Sequence, residues 1–287
     1  MDIRAKDYCL PPGGKVDSAK WPTQVKAFYR SRKQYQKLLA GQVEGLGAQQ
    51  RLLHATGRHA VLLVLQGMDT AGKDGIIRHV LSGVNPQGLV VHGFKQPSAE
   101  ELAHDFLWRT ACRLPERGRI GVFNRSHYEE VLIVRVHPEL LNGQGLPPDR
   151  LDPKTIWTQR FRSIVEWEDH LHRSGTRLVK IFLHLSPEAQ RQRLLERLDD
   201  PHKQWKFSVA DVVERGYWDA YQLAYEKCLG ATSTEHAPWH IVPADDKANA
   251  RLITAQILLE ALVALNLALP ATSARRRREL KRIRKQL

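Results

Sequence analysis

Gly67-Met68-Asp69-Thr70-Ala71-Gly72-Lys73 fits the pattern G-x-x-x-x-G-K, and it stands between an apolar run, His59 to Gln66, and the helical run Asp74–Leu81. Two glycines at this spacing let successive backbone N–H groups wrap an anion where a Cβ would block the turn. Lys73 adds a point charge at a helix N-terminus, whose dipole already favours anions. The chemistry is phosphate binding, with Gly67, Met68, Thr70, Ala71, Gly72, Asp74 and Gly75 forming the cradle. One position departs from the common pattern: Asp74 stands where a Ser or Thr usually binds Mg²⁺. Asp69, inside the loop, is then the nearest candidate ligand for a hard cation, directly or through water. For Asp74 itself, capping the following helix is favoured over binding metal.

A second short apolar run, Ile120-Gly-Val-Phe123, delivers Asn124-Arg125-Ser126-His127-Tyr128-Glu129-Glu130 at its carboxyl end. Neighbouring strand ends converge on a phosphate loop, so Arg125 is expected to face the bound phosphates, bridge two oxygens and stabilise a migrating phosphoryl group. Asn124 occupies the place of a metal-organising aspartate and offers only a weaker carbonyl ligand. Glu129 and Glu130 can supply the missing negative charge, Glu129 through water; a solvated helix face fits them equally well. His127 reads as structural, because transfer between phosphates needs positioning and charge neutralisation more than a base.

These groups require strands that end together. The run at His59–Gln66 is short and β-rich, as a central parallel strand buried on both faces is. Further strands are expected near 88–93, 119–123, 177–185 and 239–242, and helices over 23–50, 98–113, after Ser126, and over 153–173, 186–198, 209–229 and 245–267. Their alternation predicts an α/β fold, a parallel sheet with helices on both faces. The chain divides into an arm at 1–20, a domain at 21–271 and a basic tail at 272–287, expected to be mobile or a short exposed helix. Of the net charge of +13, the stretch Arg275–Lys285 holds eight bases against Glu279 alone. Cys9, Cys112 and Cys228 lie far apart, without zinc-ligand spacing, which suits a reducing cytoplasm. No apolar run is long enough to span a membrane, and the charged, Pro/Gly-rich N-terminus lacks the apolar core of a secretory leader.

Leu65 to Gly75, Phe94-Lys-Gln-Pro-Ser-Ala-Glu-Glu-Leu102 with His104 to Arg109, and Phe123-Asn-Arg-Ser-His-Tyr-Glu129 together resemble the family-2 polyphosphate kinases. Arg197-Leu-Asp-Asp-Pro-His-Lys-Gln-Trp-Lys-Phe207 and Ala237 to Ala244 are similar to the same family, and the likeness runs from about 20 to 268. The resemblance implies a P-loop kinase core like thymidylate kinase with a helical lid, and transfer of phosphate between inorganic polyphosphate and nucleotides with Mg²⁺, or Mn²⁺ in its place. The Asn-Arg-Ser-His-Tyr-Glu version is most similar to the one-domain subgroup that accepts nucleoside mono- and diphosphates. In this setting Asp69, Lys73 and Arg125 are the expected catalytic residues, with Asp69 and Asn124 toward the metal, and a homo-oligomer is expected.

A long polyanion needs a basic channel. Arg193 and Arg197, four apart on one helical face, with Lys203, Lys206 and Arg215, make a basic lid at about 187–216 that can close over the phosphate loop and exclude water. For the nucleotide, Lys95, Asp105, Arg109 and Asn124 are the expected contacts, with Phe94 and Trp108 able to stack, whereas Phe106 and Leu107 read as core. Two other readings are a nucleic-acid-associated ATPase using the tail and an ATP-dependent nucleotide kinase. The absence of a recognition module and of Ser or Thr at position 74 counts against the first, which makes nucleic acid an unexpected partner.

Overall fold

The structure is a computed structural model that describes residues 3–287, apart from the side chain of Lys206. The start of the arm, Met1 and Asp2, and the polyphosphate contact expected of Lys206 lie outside the described residues. Five parallel strands, β1 Ala60–Gly67, β2 Leu89–Gly93, β3 Ile120–Asn124, β4 Thr176–His184 and β5 Trp239–Pro243, form one sheet in the order β2-β3-β1-β4-β5. The longer helices are α1 Arg32–Thr56, α2 Lys73–Val80, α6 Ile156–Arg173, α7 Pro187–Asp199, α8 Val209–Arg215, α9 Trp218–Thr232, α10 Lys247–Val263 and α11 Ala274–Arg284. Single turns α3 Ala99–Leu102, α4 Trp108–Ala111 and α5 Ile133–Val136 lie between β2 and α6.

All eight residues of β1 are buried, as the apolar run predicts. Period-two alternation divides them between two cores: Val61, Leu63 and Leu65 pack with Leu46, Leu53 and Ile253, while Leu62 and Val64 pack with Phe123, Phe161 and Phe182. The chain leaves β1 toward β2 and β3 on one side and returns to β4 on the other. The carboxyl end of β1 is therefore a topological switch point, where ligands of open α/β sheets bind.

Four expected elements differ. The first helix begins at Arg32, capped by Ser31 Oγ, and not at 23. Residues 23–31 lie along the start of α10 instead, where Asn249 bonds the backbone of Val25, Lys26 and Phe28, and Asp245 N donates to Thr23 O. The expected helix at 98–113 is the two turns α3 and α4, because the Ser98–Glu101 capping box starts one turn and Asp105 Oδ1 accepts Leu107 N ahead of the next. A 3₁₀ turn at His127–Val131 precedes α5 where one helix was expected. Residues 209–229 split into α8 and α9 around Gly216 and Tyr217. The arm holds two 3₁₀ turns, and Leu10 N donates to Trp239 O at the edge of β5. The tail forms the exposed helix α11.

Candidate active site

The phosphate loop leaves β1 at Gly67, with φ 155°, where a Cβ would meet Leu183 O at 2.9 Å and Ala71 Cβ at 3.0 Å. Gly72, with φ 110°, is the N-cap of α2, so the helix begins with Lys73 pointing back into the loop. Lys73 Nζ donates to the carbonyls of Gly67 (2.6 Å) and Met68 (3.2 Å). Burial, and next the charge of Arg125, pull its pKa down to about 8.

Arg125 sits one residue beyond β3 in the left-handed region, φ 63°, with its N–H donating to Leu65 O at 3.1 Å. A non-glycine residue held there stores strain that the surrounding packing must offset. Its guanidinium bonds Asp69 Oδ1 at 2.6 Å and Glu129 Oε2 at 3.5 Å, which brings Asp69, Arg125 and Glu129 together. The turn behind them is fixed from below: Tyr128 OH donates to Glu168 Oε1 at 2.7 Å, and buried Lys180 donates to Glu168 Oε2 at 2.6 Å and Thr232 O at 2.7 Å. His127 is fully buried between Tyr128 and Trp167, away from solvent.

Asp74 is not the cap of α2, a position Gly72 holds; it lies in the first turn and accepts from Asn124 Nδ2 at 2.8 Å, tying α2 to β3. Asn124 thereby spends its NH₂ and keeps its carbonyl for a cation or substrate. Glu129 and Glu130 are not a solvated face. Glu130 is 3% exposed and sits among Arg109 (3.5 Å), Arg160 (3.5 Å) and Gln144 Nε2 (2.6 Å); burial still pushes its pKa up.

Arg125 and Glu129 border a cavity of about 570 Å³, also lined by Phe94, Lys95, Arg109, Ile133, Val134, His137 and Leu140, among others. Arg109 is buried, with Nη1 donating to Lys95 O at 2.8 Å and its guanidinium 5.5 Å from the Phe94 ring centre. Asp105 does not reach this cavity, because its carboxylate accepts Leu107 N and it borders a smaller recess. Trp108 is stacked on His104 at 4.0 Å, and Phe94 is buried edge-on to Phe123, so neither offers the open stacking face expected.

A second, basic cavity of about 270 Å³ is lined by Thr70, Ala71, Gly72, Arg193, Arg197, Lys203, Lys247 and Arg251, among others. Arg197 is paired with Asp211 at 3.1 Å and Lys203 with Asp200 at 2.6 Å. Arg193 differs from the polymer contact expected of it. Its donors go to the carbonyls of Thr70 (2.8 Å), Ala71 (3.1 Å), Ala244 and Asp245 (3.0 Å), so it pins the loop to the link between β5 and α10. Arg215 is also redirected: Nη1 donates to Pro187 O (2.7 Å) and Gln190 Oε1 (3.1 Å), joining α8 to α7. Replacing Arg193 with methionine is expected to cost about 1–3 kcal/mol of stability, since it strands buried carbonyls. Urea unfolding measures this, and an unchanged midpoint would return Arg193 to the role of a surface cation.

Several lining residues escaped the sequence reading. Lys247 and Arg251, four apart on α10, complete the basic cavity; a Cβ at Gly75 would lie 3.4 Å from Arg251 Nη2. Their i, i+4 spacing was visible, but nothing local linked it to a loop far earlier in the chain. Helix α8 also contributes acids. Asp211 and Glu214, three apart on α8, line a small space with Asp69, Arg125, Glu129, Tyr221 and Tyr225. Glu214 Oε2 accepts from Tyr221 OH at 2.7 Å and lies 3.1 Å from His137 Nε2, joining the lid to the wall of the larger cavity. Burial, then the charge of Asp69, raises the pKa of Asp211.

Comparison with known proteins places this arrangement. The chain is 58% identical over 287 residues to an "ADP-polyphosphate phosphotransferase" of Rhodopseudomonas palustris, covering 100% of this chain and 99% of that one. It is 42% identical over 266 residues to an "AMP/ADP-polyphosphate phosphotransferase" of Meiothermus ruber, covering 92% and 95%. The crystal structure of polyphosphate kinase 2 from Arthrobacter aurescens superposes with a TM-score of 0.85 at 39% identity, over 98% of both chains. Residues 29–268 match the family described as Polyphosphate kinase 2 (PPK2). With its P-loop sheet, the basic cavity beside the loop and these likenesses over nearly its whole length, the chain belongs to the polyphosphate kinase 2 family.

Proposed function

We propose that the protein transfers phosphoryl groups between inorganic polyphosphate and nucleotides, with nucleoside mono- and diphosphates as acceptors. The observation that carries this reading is a pair of cavities of unlike chemistry, one reaching Arg125 and Glu129 and the other bordering Thr70, Ala71 and Gly72 of the phosphate loop. The larger, partly apolar one falls in the size range of small-molecule sites and suits a nucleoside whose phosphates point at Arg125. The smaller one is lined by Arg197, Lys203, Lys247 and Arg251, four cations beside the loop that can turn to a chain of phosphates.

In the forward direction a terminal oxygen of the nucleotide attacks the terminal phosphorus of the polymer. The P–O bond to the next phosphate breaks, and the shortened polymer leaves with the electron pair. The attacking oxygen is already ionised, so no side chain needs to remove a proton. Lys73 turns from the Gly67 and Met68 carbonyls to a phosphate, and Arg125 bridges donor and acceptor oxygens. Closure of α8 over the loop, which α7 already holds through Arg193, excludes water, which would otherwise hydrolyse the polymer. A bound Mg²⁺ (or Mn²⁺) would neutralise charge on the phosphates. The donors fit it: Asp69 has one carboxylate oxygen committed to Arg125, Asn124 and Glu129 offer hard oxygen, and among the described residues no cluster of three or more His, Cys, Asp or Glu competes as a cage. One or two protein ligands beside substrate oxygens is the usual way Mg²⁺ is held.

No helix of the described residues is long and apolar enough to cross a membrane. A cytoplasmic location belongs to the same reading, which three free thiols suit. So does homo-oligomeric assembly, for which Val209, Val212 and Val213 offer an exposed apolar strip.

The division between cavities is tested by kinetics. Lys247→Ala and Arg251→Ala are each expected to raise the half-saturating polyphosphate concentration about tenfold, or about 1.4 kcal/mol, the scale of one charge-assisted hydrogen bond. The nucleotide KM should stay put. A rise in nucleotide KM with polyphosphate unaffected would reverse the assignment.

A further inference from the structure

We propose that α11 is a second polyphosphate-binding surface, an exosite that holds the distal part of a long polymer while its end reacts; this rests on the functional reading above. Every residue of α11 is exposed, and Ser273 Oγ caps it by accepting Arg276 N at 3.1 Å. Among the described residues, Arg276 with Glu279 at 2.9 Å is the one ion pair in this tail. Eight bases from Arg275 to Lys285 thus face solvent with a single acid among them.

Its position separates this charge from the reacting end. Lys247, in the basic cavity, is the first residue of α10, and the 17-residue helix carries the chain about 25 Å away before it ends at Val263. Beyond it, Leu265 and Leu267 still pack against the core, so the tail is rooted on the far side from the phosphate loop. Only a polymer long enough to span that separation can engage both surfaces. Binding at the second surface then raises the effective concentration of the polymer at the first.

The distribution of charge selects the occupant. Arg275, Arg276, Arg277 and Arg278 are consecutive, so at 100° per residue they surround the helix instead of forming one stripe. A flexible linear polyanion can follow such a surface, each guanidinium taking two phosphate oxygens. A helix lying in a membrane interface needs a broad apolar face, and α11 offers only Leu280 and Ile283.

The test uses the full chain with Arg275, Arg276, Arg277 and Arg278 changed to glutamine. Kinetics are run with long-chain polyphosphate and with oligomers of a few phosphates, over a salt series. The expected result is a half-saturating concentration raised on the order of tenfold for the long polymer, unchanged for the oligomers, with kcat unchanged for both. The difference should shrink as salt screens the tail. An equal effect on both lengths, no effect on either, or a lowered kcat would overturn the exosite. So would tail-dependent binding of phosphatidylserine vesicles or duplex DNA with long-polymer kinetics unaltered. Absence of turnover with polyphosphate of any length, by contrast, would sink the reading of the active site itself.

Discussion

Replacing Lys73 with alanine is expected to lower kcat by about 10²–10³-fold, the scale of losing one preorganised electrostatic donor, about 3–4 kcal/mol, while leaving the fold intact. The amine is buried at the first residue of α2, and among the described residues it hydrogen-bonds the loop carbonyls of Gly67 and Met68 alone. Those carbonyls hold it in place without neutralising it, so its charge is available to an arriving phosphate. The same burial brings its pKa down to about 8, which makes the effect visible in pH. Below that value the ammonium dominates and the site is competent; as pH rises through about 8 the free enzyme loses the charge. Activity at low substrate, kcat/KM, should fall over that interval. A bound polyanion favours the charged form and raises the pKa, so kcat at saturation should hold to higher pH. Near-normal turnover in the alanine variant, or a flat kcat/KM between pH 7 and about 9, would take Lys73 out of the mechanism.

Arg125→Lys should be nearly as damaging as Arg125→Ala, again about 10²–10³-fold in kcat. Lysine keeps the charge, so a purely coulombic role would be largely rescued. The geometry argues otherwise, because two separate nitrogens of Arg125 reach Asp69 and Glu129 at once, and the same fork can span two phosphate oxygens. Its strained backbone fixes where that fork points, and neither replacement relieves the strain. Asp69→Asn should fall in the same range, since it removes charge beside both Arg125 and the candidate metal position. Assays of the three variants at saturating substrates would settle the point; recovery of most activity by lysine would mean that charge alone is needed.

The sheet and the phosphate loop were legible because their signals are local. The continuous burial of β1, the two glycines and Lys73 lie within fifteen residues, and each constrains the next. Arg125 was legible through the strand that delivers it. What escaped depends on distant backbone. Arg193 reads as a lid cation by composition, yet four carbonyls from the loop and from the approach to α10 converge on it. Asp105 carries the charge of a ligand but is occupied by an amide two residues away. Lys247 and Arg251 complete the basic cavity only because α10 packs against α1 and α2, which no spacing discloses. The acids Asp211 and Glu214 were hidden for a related reason: a segment rich in cations does not announce which face its few acids take.

The central claim, that polyphosphate is the phosphoryl donor at this loop, is tested most directly by supplying the full chain with Mg²⁺, ADP and long-chain polyphosphate and no other donor, and following the nucleotides by chromatography. The expected result is ATP formed in step with consumption of polymer, absent in the Lys73→Ala variant. A protein that makes no ATP from polyphosphate, yet phosphorylates AMP when ATP is the donor, would contradict it.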